Sequence, residues 1–88
     1  MVFNFYSTDA IKNISNGTTI KYLDTETCVN LSSYNNILGA VITSNNVGNT
    51  FGIMLYKRSN GITAFYRITD SGDMSATASL PIRVFYID

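Results

Sequence analysis

The side chains able to do acid–base, nucleophilic or metal chemistry are few in this chain, and they are poorly spaced for it. There is no histidine, so the base that activates a serine or cysteine nucleophile in a triad is missing. The lone Cys28 lies in an apolar stretch with Val29 and Leu31. It reads as a small buried side chain rather than a nucleophile. Two carboxylate pairs exist, Asp24 with Glu26 and Asp70 with Asp73. Paired carboxylates serve glycoside hydrolysis, but both pairs sit among turn-forming residues, where aspartate folds back on its own backbone. The stretch Asp70-Ser71-Gly72-Asp73 lacks the spacing and ligand number of a calcium loop. One cysteine and no histidine argue against a structural zinc site. The expectation is a protein without catalysis, metal or cofactor.

What remains for function is tyrosine, asparagine and one arginine in turn-like segments. Tyr34-Asn35-Asn36 follows two serines, and Arg58 and Asn60 flank a turn ahead of Tyr66. An aromatic ring offers an apolar face and a polar tip, and amide side chains both donate and accept hydrogen bonds. That pairing suits a saccharide, so Tyr34, Asn35, Arg58 and Asn60 are the candidate ligand-binding residues. Charge argues the same way. Six basic and six acidic residues cancel, and the basic ones are scattered, with only Lys57 and Arg58 adjacent. A nucleic-acid interface calls for a basic stripe, so none is expected. Charged residues make up only 14% of the chain, leaving Asn, Ser and Thr to cover the surface. No stretch approaches the roughly 20 apolar residues of a membrane-spanning helix. Residues 1–6 lack the basic start and long apolar run of a signal peptide.

These side chains must be carried by strands. Period-2 or β-branched runs occur at residues 2–6, 18–23, 27–31, 37–43, 51–57, 62–69 and 80–87. Turn residues separate them: Asn16-Gly17, 44–49, Ser59-Asn60-Gly61 and 70–73. Asn60-Gly61 between two β-rich runs predicts a hairpin with a type I′ turn. Residues 8–13 suggest one capped helical turn. The whole reads as one all-β domain over residues 1–88, a small antiparallel β-sandwich or jelly-roll-like module, with residues 1–17 as an N-terminal arm or linker.

Several strands are apolar on both faces. In the last, Ile82, Val84 and Tyr86 alternate with Arg83, Phe85 and Ile87. Ile53 and Leu55 oppose Met54 and Tyr56, and Ala64 and Tyr66 oppose Phe65. A sheet with one wet face alternates apolar with polar residues instead. A chain of 88 residues buries only roughly 60–65% of its unfolded surface, and a single cysteine permits no intrachain disulfide. Oligomerisation is the expected support, with Ile82, Val84, Phe85, Tyr86 and Ile87 at the subunit interface.

Residues 32–40, Ser-Ser-Tyr-Asn-Asn-Ile-Leu-Gly-Ala, the hairpin over 51–68 around Asn60-Gly61, and the closing strand 80–87 together resemble the small head modules of phage tail fibres. The resemblance spans about residues 27–88 and lies in strand order and turn chemistry. It implies a trimeric β-sandwich at the tip of a virion appendage, made in the host cytoplasm, that binds a host-surface saccharide or protein. The chain departs from such fibres in lacking a collagen-like or coiled-coil shaft. The alternative reading is a small phage- or bacterium-encoded intracellular protein that docks on and inhibits or adapts a host protein, favoured by the free Cys28 and the missing signal peptide.

Overall fold

A computed structural model describes residues 19–87. Six strands run β1 (Lys21–Glu26), β2 (Ile37–Ile42), β3 (Thr50–Lys57), β4 (Thr63–Thr69), β5 (Met74–Ser75) and β6 (Pro81–Tyr86). No helix occurs among the described residues. The chain is all-β, with two antiparallel three-stranded sheets ordered β1-β6-β2 and β3-β4-β5. The expected strand over 2–6, the helical turn over 8–13 and the arm over 1–17 fall outside the described residues, as does the first residue of the 18–23 run.

The two sheets face each other across one core. Ile37, Ile82 and Val84 come from the first sheet, Ile53 and Phe65 from the second, and Leu31 from the segment between β1 and β2. Fully burying an aliphatic or phenyl side chain stabilises by about 1.5–3 kcal/mol, and each of these six contributes on that scale. Their spacing follows the strand period with one exception. In β2 the register slips between Ile37 and Gly39, so Leu38 is an extra residue opposite β6. The bulge lets Ile37, Ala40 and Ile42 all meet the core, although a regular strand would put Ile37 on the other face from the last two.

The second sheet is a meander of two tight hairpins with the same loop. Arg58 N–H donates to Ile62 O (2.9 Å) and Gly61 N–H to Arg58 O (2.9 Å). Eleven residues on, Thr69 N–H donates to Asp73 O and Gly72 N–H to Thr69 O, both at 2.9 Å. Each loop ends on a left-handed glycine, Gly61 at φ 88° and Gly72 at φ 90°. The type I′ expectation is corrected by this geometry. That turn needs positive φ at both central residues, and Asn60 does not have it. Asn60 instead accepts from Ile62 N–H through Oδ1 at 3.1 Å, closing the loop with its side chain.

The run over 27–31 is not a regular strand. Cys28 sits at φ 71°, a conformation few residues other than glycine adopt. The chain bends there and changes sheets. Thr27 N–H still donates to Leu80 O (2.9 Å), beside β6, while Cys28 N–H donates to Phe65 O (2.8 Å) and Leu31 N–H to Thr63 O (2.6 Å), beside β4. One segment thus stitches the sheets along one side, a usual device at sandwich corners. Thr27 is the buried pivot, 1% exposed, and its Oγ1 accepts from Leu80 N–H at 2.9 Å.

The placement of the last strand corrects part of the interface expectation. Ile82, Val84 and Ile87 are buried inside a single chain, so they have no surface to offer a neighbour. Phe85 and Tyr86 are half-buried. Nor does the two-sided apolar pattern of β4 require a second subunit. Ala64, Phe65 and Tyr66 are all buried within one chain, with Arg58 stacked over the Tyr66 ring at 4.5 Å and Tyr56 meeting it edge-on.

Candidate functional site

The segment between the sheet crossing and β2 lines a concave surface. A turn closes over residues 31–34, with Tyr34 N–H donating to Leu31 O (3.0 Å), and Ile87 N–H donates to Asn36 O (3.0 Å), extending the β2–β6 pairing past both strand ends. These bonds hold residues 33–36 against the end of β6. The result is an open groove of about 320 Å³ lined by Ser33, Tyr34, Asn35, Asn36, Tyr86 and Ile87. That is the lower end of the roughly 300–1,000 Å³ of small-molecule sites, room for one or two small rings.

The groove floor is an aromatic pair. The rings of Tyr34 and Tyr86 lie 4.9 Å apart at 72°, the edge-to-face geometry that aromatic quadrupoles favour. In such a pair one ring keeps both faces clear of its partner. No charged side chain of a described residue lines the groove. Among the described residues, the side-chain polar groups of Ser33, Asn35 and Asn36 have no hydrogen-bond partner. Two amides, a serine hydroxyl and two phenols therefore surround an apolar floor with their donors and acceptors uncommitted. The set can hydrogen-bond a polyhydroxylated ligand and stack on its C–H face.

Of the four candidate binding residues, the structure brings two into this groove, Tyr34 and Asn35. Arg58 and Asn60 lie on the β3–β4 hairpin outside it. The two regions touch through Ser32, whose Oγ donates to Gly61 O at 3.2 Å. Asn30 Oδ1 accepts from Ser32 N–H (3.1 Å) and Thr63 N–H (3.3 Å), so Asn30 braces the loop against β4. Arg58 is committed to the Tyr66 ring, and its Nε is buried without a hydrogen-bond partner. Sequence reasoning missed Ser33, Asn36 and Tyr86 as groove residues. Tyr86 carried a usable signal: it ends the closing strand at the same parity as buried Ile82 and Val84, where a phenol must leave the core.

The residues weighed for chemistry lie outside the groove. Asp24 lies on the outer face of the first sheet, where both carboxylate oxygens accept from Arg83, Oδ1 from Nε (2.7 Å) and Oδ2 from the terminal nitrogen (3.0 Å). Those hydrogen bonds, with the guanidinium charge, hold its carboxyl below the usual carboxylate range, the wrong direction for a general acid. Arg83 also lies 4.1 Å over the Tyr22 ring. Asp73 accepts from Ser71 Oγ (3.2 Å) within its own hairpin loop. Among the described residues, the polar partners of Cys28 Sγ are the carbonyls of Ser75 and Ala78, at 3.9 and 4.0 Å. No group of three potential metal ligands occurs among the described residues. No protein-family model matches this chain, and neither the curated proteins nor the solved structures include a match.

Proposed function

We propose that this chain is a non-enzymatic binding module that takes a neutral saccharide in the Tyr34–Tyr86 groove, and that it serves as the head of a phage tail fibre or similar virion appendage in adsorption to a host surface. The observation that carries the saccharide reading is the composition of the groove: an edge-to-face tyrosine pair ringed by uncharged hydroxyl and amide groups. Hydrophobic floor and convergent polar rim are what a small-ligand site needs, and an uncharged rim favours a neutral ligand over a phosphate or an acidic peptide. The appendage reading rests on the resemblance of residues 27–88 to tail-fibre heads and on the low charge of the whole chain.

The test is a titration of isotope-labelled protein with a panel of neutral mono- and disaccharides, following backbone amide shifts. Saturable shifts centred on residues 33–36, 86 and 87, abolished by Tyr34→Ala in a variant that keeps the wild-type fold, are the expected result. Silence across the panel, or shifts centred on the Arg58–Ile62 loop, would sink the groove reading.

A further inference from the structure

Among the described residues, the middle of β3 is an unguarded sheet edge. Arg58 pairs with Ile62 through their backbones, and the β3–β4 register runs Tyr56 with Ala64, Met54 with Tyr66 and Gly52 with Ile68. Alternation along an antiparallel strand then points the amides and carbonyls of Gly52, Met54 and Tyr56 toward β4. The carbonyls of Thr63 and Phe65 follow the same parity, since they go the other way, to Leu31 and Cys28. Ile53, Leu55 and Lys57 therefore direct their backbone groups outward, where no described residue hydrogen-bonds to them.

Natural edge strands are blunted by charge, proline, bulges or shortness. β1 carries Lys21, Asp24 and Glu26, β5 is two residues long, and β2 has its bulge at Leu38. In the eight-residue β3 the register slip at Phe51 and the charge of Lys57 guard only the two ends. Between them run Gly52, Ile53, Met54, Leu55 and Tyr56, with no charge and no proline. Two large exposed side chains mark its ends, Phe51 just before it at 67% exposure and Tyr56 as its last residue at 47%.

We propose that β3 pairs with β3 of a second copy, antiparallel, about a twofold axis at Met54. Parallel pairing would bring the two Lys57 charges together, whereas antiparallel pairing puts them at opposite ends. With the axis at Met54, the outward groups of Ile53 meet those of Leu55 of the second copy, and the reverse. Tyr56 then lies across from Gly52 of the other copy, where a side chain meets nothing within 4 Å, and Phe51 lies beside the aliphatic stem of Lys57. This register covers both exposed aromatics at once. Moving the axis one residue to Leu55 leaves Phe51 beyond the paired region. The second copy is therefore the occupant that the strand's own sequence complements, and the β3-β4-β5 sheets of the two copies become one continuous six-stranded sheet.

Light scattering coupled to gel filtration, over a concentration series, reads the mass. A shift from one 9.7 kDa chain to twice that mass is expected. The register is read by cysteine pairing in a Cys28→Ser background. Met54 on each strand forms a non-hydrogen-bonded pair with Cα atoms about 4.5 Å apart, within the roughly 4.4–6.8 Å of a disulfide. Met54→Cys is expected to cross-link into a dimer under mild oxidation, and Tyr56→Cys is not. A monomer at every concentration, a trimer, or a dimer that fails to cross-link through position 54 would each overturn the proposal. The mass of the unaltered chain tests the dimer even if a cysteine variant does not fold. Saccharide binding to the groove is a separate readout, so either proposal can fail without the other.

Discussion

The two sheets share one core but are assembled in opposite ways. In β3-β4-β5 each strand pairs with its neighbour in sequence through a three-residue loop ending on a left-handed glycine. In β1-β6-β2 the central strand is the last in the chain, and Lys21 finds Tyr86 across almost the whole described length. The first kind of sheet closes short loops at small entropic cost, and the second must order most of the chain before it is rewarded. Loop chemistry specifies the meander. The other sheet is specified by burial alone, and by the Thr27–Leu31 crossing that ties it to β4.

Two buried isoleucines, one per sheet, give the largest test of that contrast. Ile53→Ala and Ile82→Ala each remove a core side chain and should cost about 2–5 kcal/mol in denaturant unfolding. Their kinetics should separate. Ile53→Ala is expected to slow folding, because the local meander forms early, while Ile82→Ala mainly speeds unfolding. Similar partition of the two losses in stopped-flow chevrons would break the comparison.

The crossing between the sheets comes next. Thr27→Val keeps the shape but removes the acceptor for Leu80 N–H, leaving a buried donor unpaired, for about 1–3 kcal/mol. Thr27→Ser, which keeps the hydroxyl, should recover most of that loss. Equal losses for the two variants would show that the hydrogen bond contributes little to joining the sheets.

The smallest effect belongs to the outer face of the first sheet. Asp24 titrates below its ordinary value because Arg83 hydrogen-bonds and attracts its charged form. A carboxylate with a lowered folded pKa stabilises above the ordinary carboxylate range, and that contribution is lost as pH falls through the lowered value. Asp24→Asn should thus lower the unfolding midpoint slightly at neutral pH and low salt, and not at all in high salt or strong acid, because the pair is exposed and screened. A salt-independent loss would show that the pair holds β1 to β6 by geometry rather than charge.

Legibility in the sequence follows the same division. The runs at 51–57 and 62–69 and the loop between them can be read because alternation and turn residues are local signals. Only the turn type differs, since Asn60 bonds with its side chain instead of adopting positive φ. The run over 27–31 resembles one more strand because Cys28, Val29 and Leu31 alternate as a strand does. Nothing local marks a cysteine for positive φ. The bend arises from simultaneous pairing to Leu80 on one side and Phe65 and Thr63 on the other. The candidate site is half legible. Tyr34 and Asn35 stand out by type, but their groove partner Tyr86 lies at the far end of the chain. Arg58 is drawn away by the face of Tyr66, a contact between two residues that the hairpin register alone brings together.

Neighbouring residues alone dictate the all-β class, the local hairpins, the absence of a histidine base and the near-neutral surface, because strand period, loop chemistry and charge are properties of short stretches. Long-range packing was needed to turn Ile82, Val84 and Ile87 inward to a core within one chain. The same packing set Tyr86 against Tyr34 and, among the described residues, left the middle of β3 without a second strand partner. A strand apolar on both faces carries no mark of which face is covered by its own chain. That depends on where distant segments return, and their return is set by the summed burial of the whole molecule rather than by any local preference.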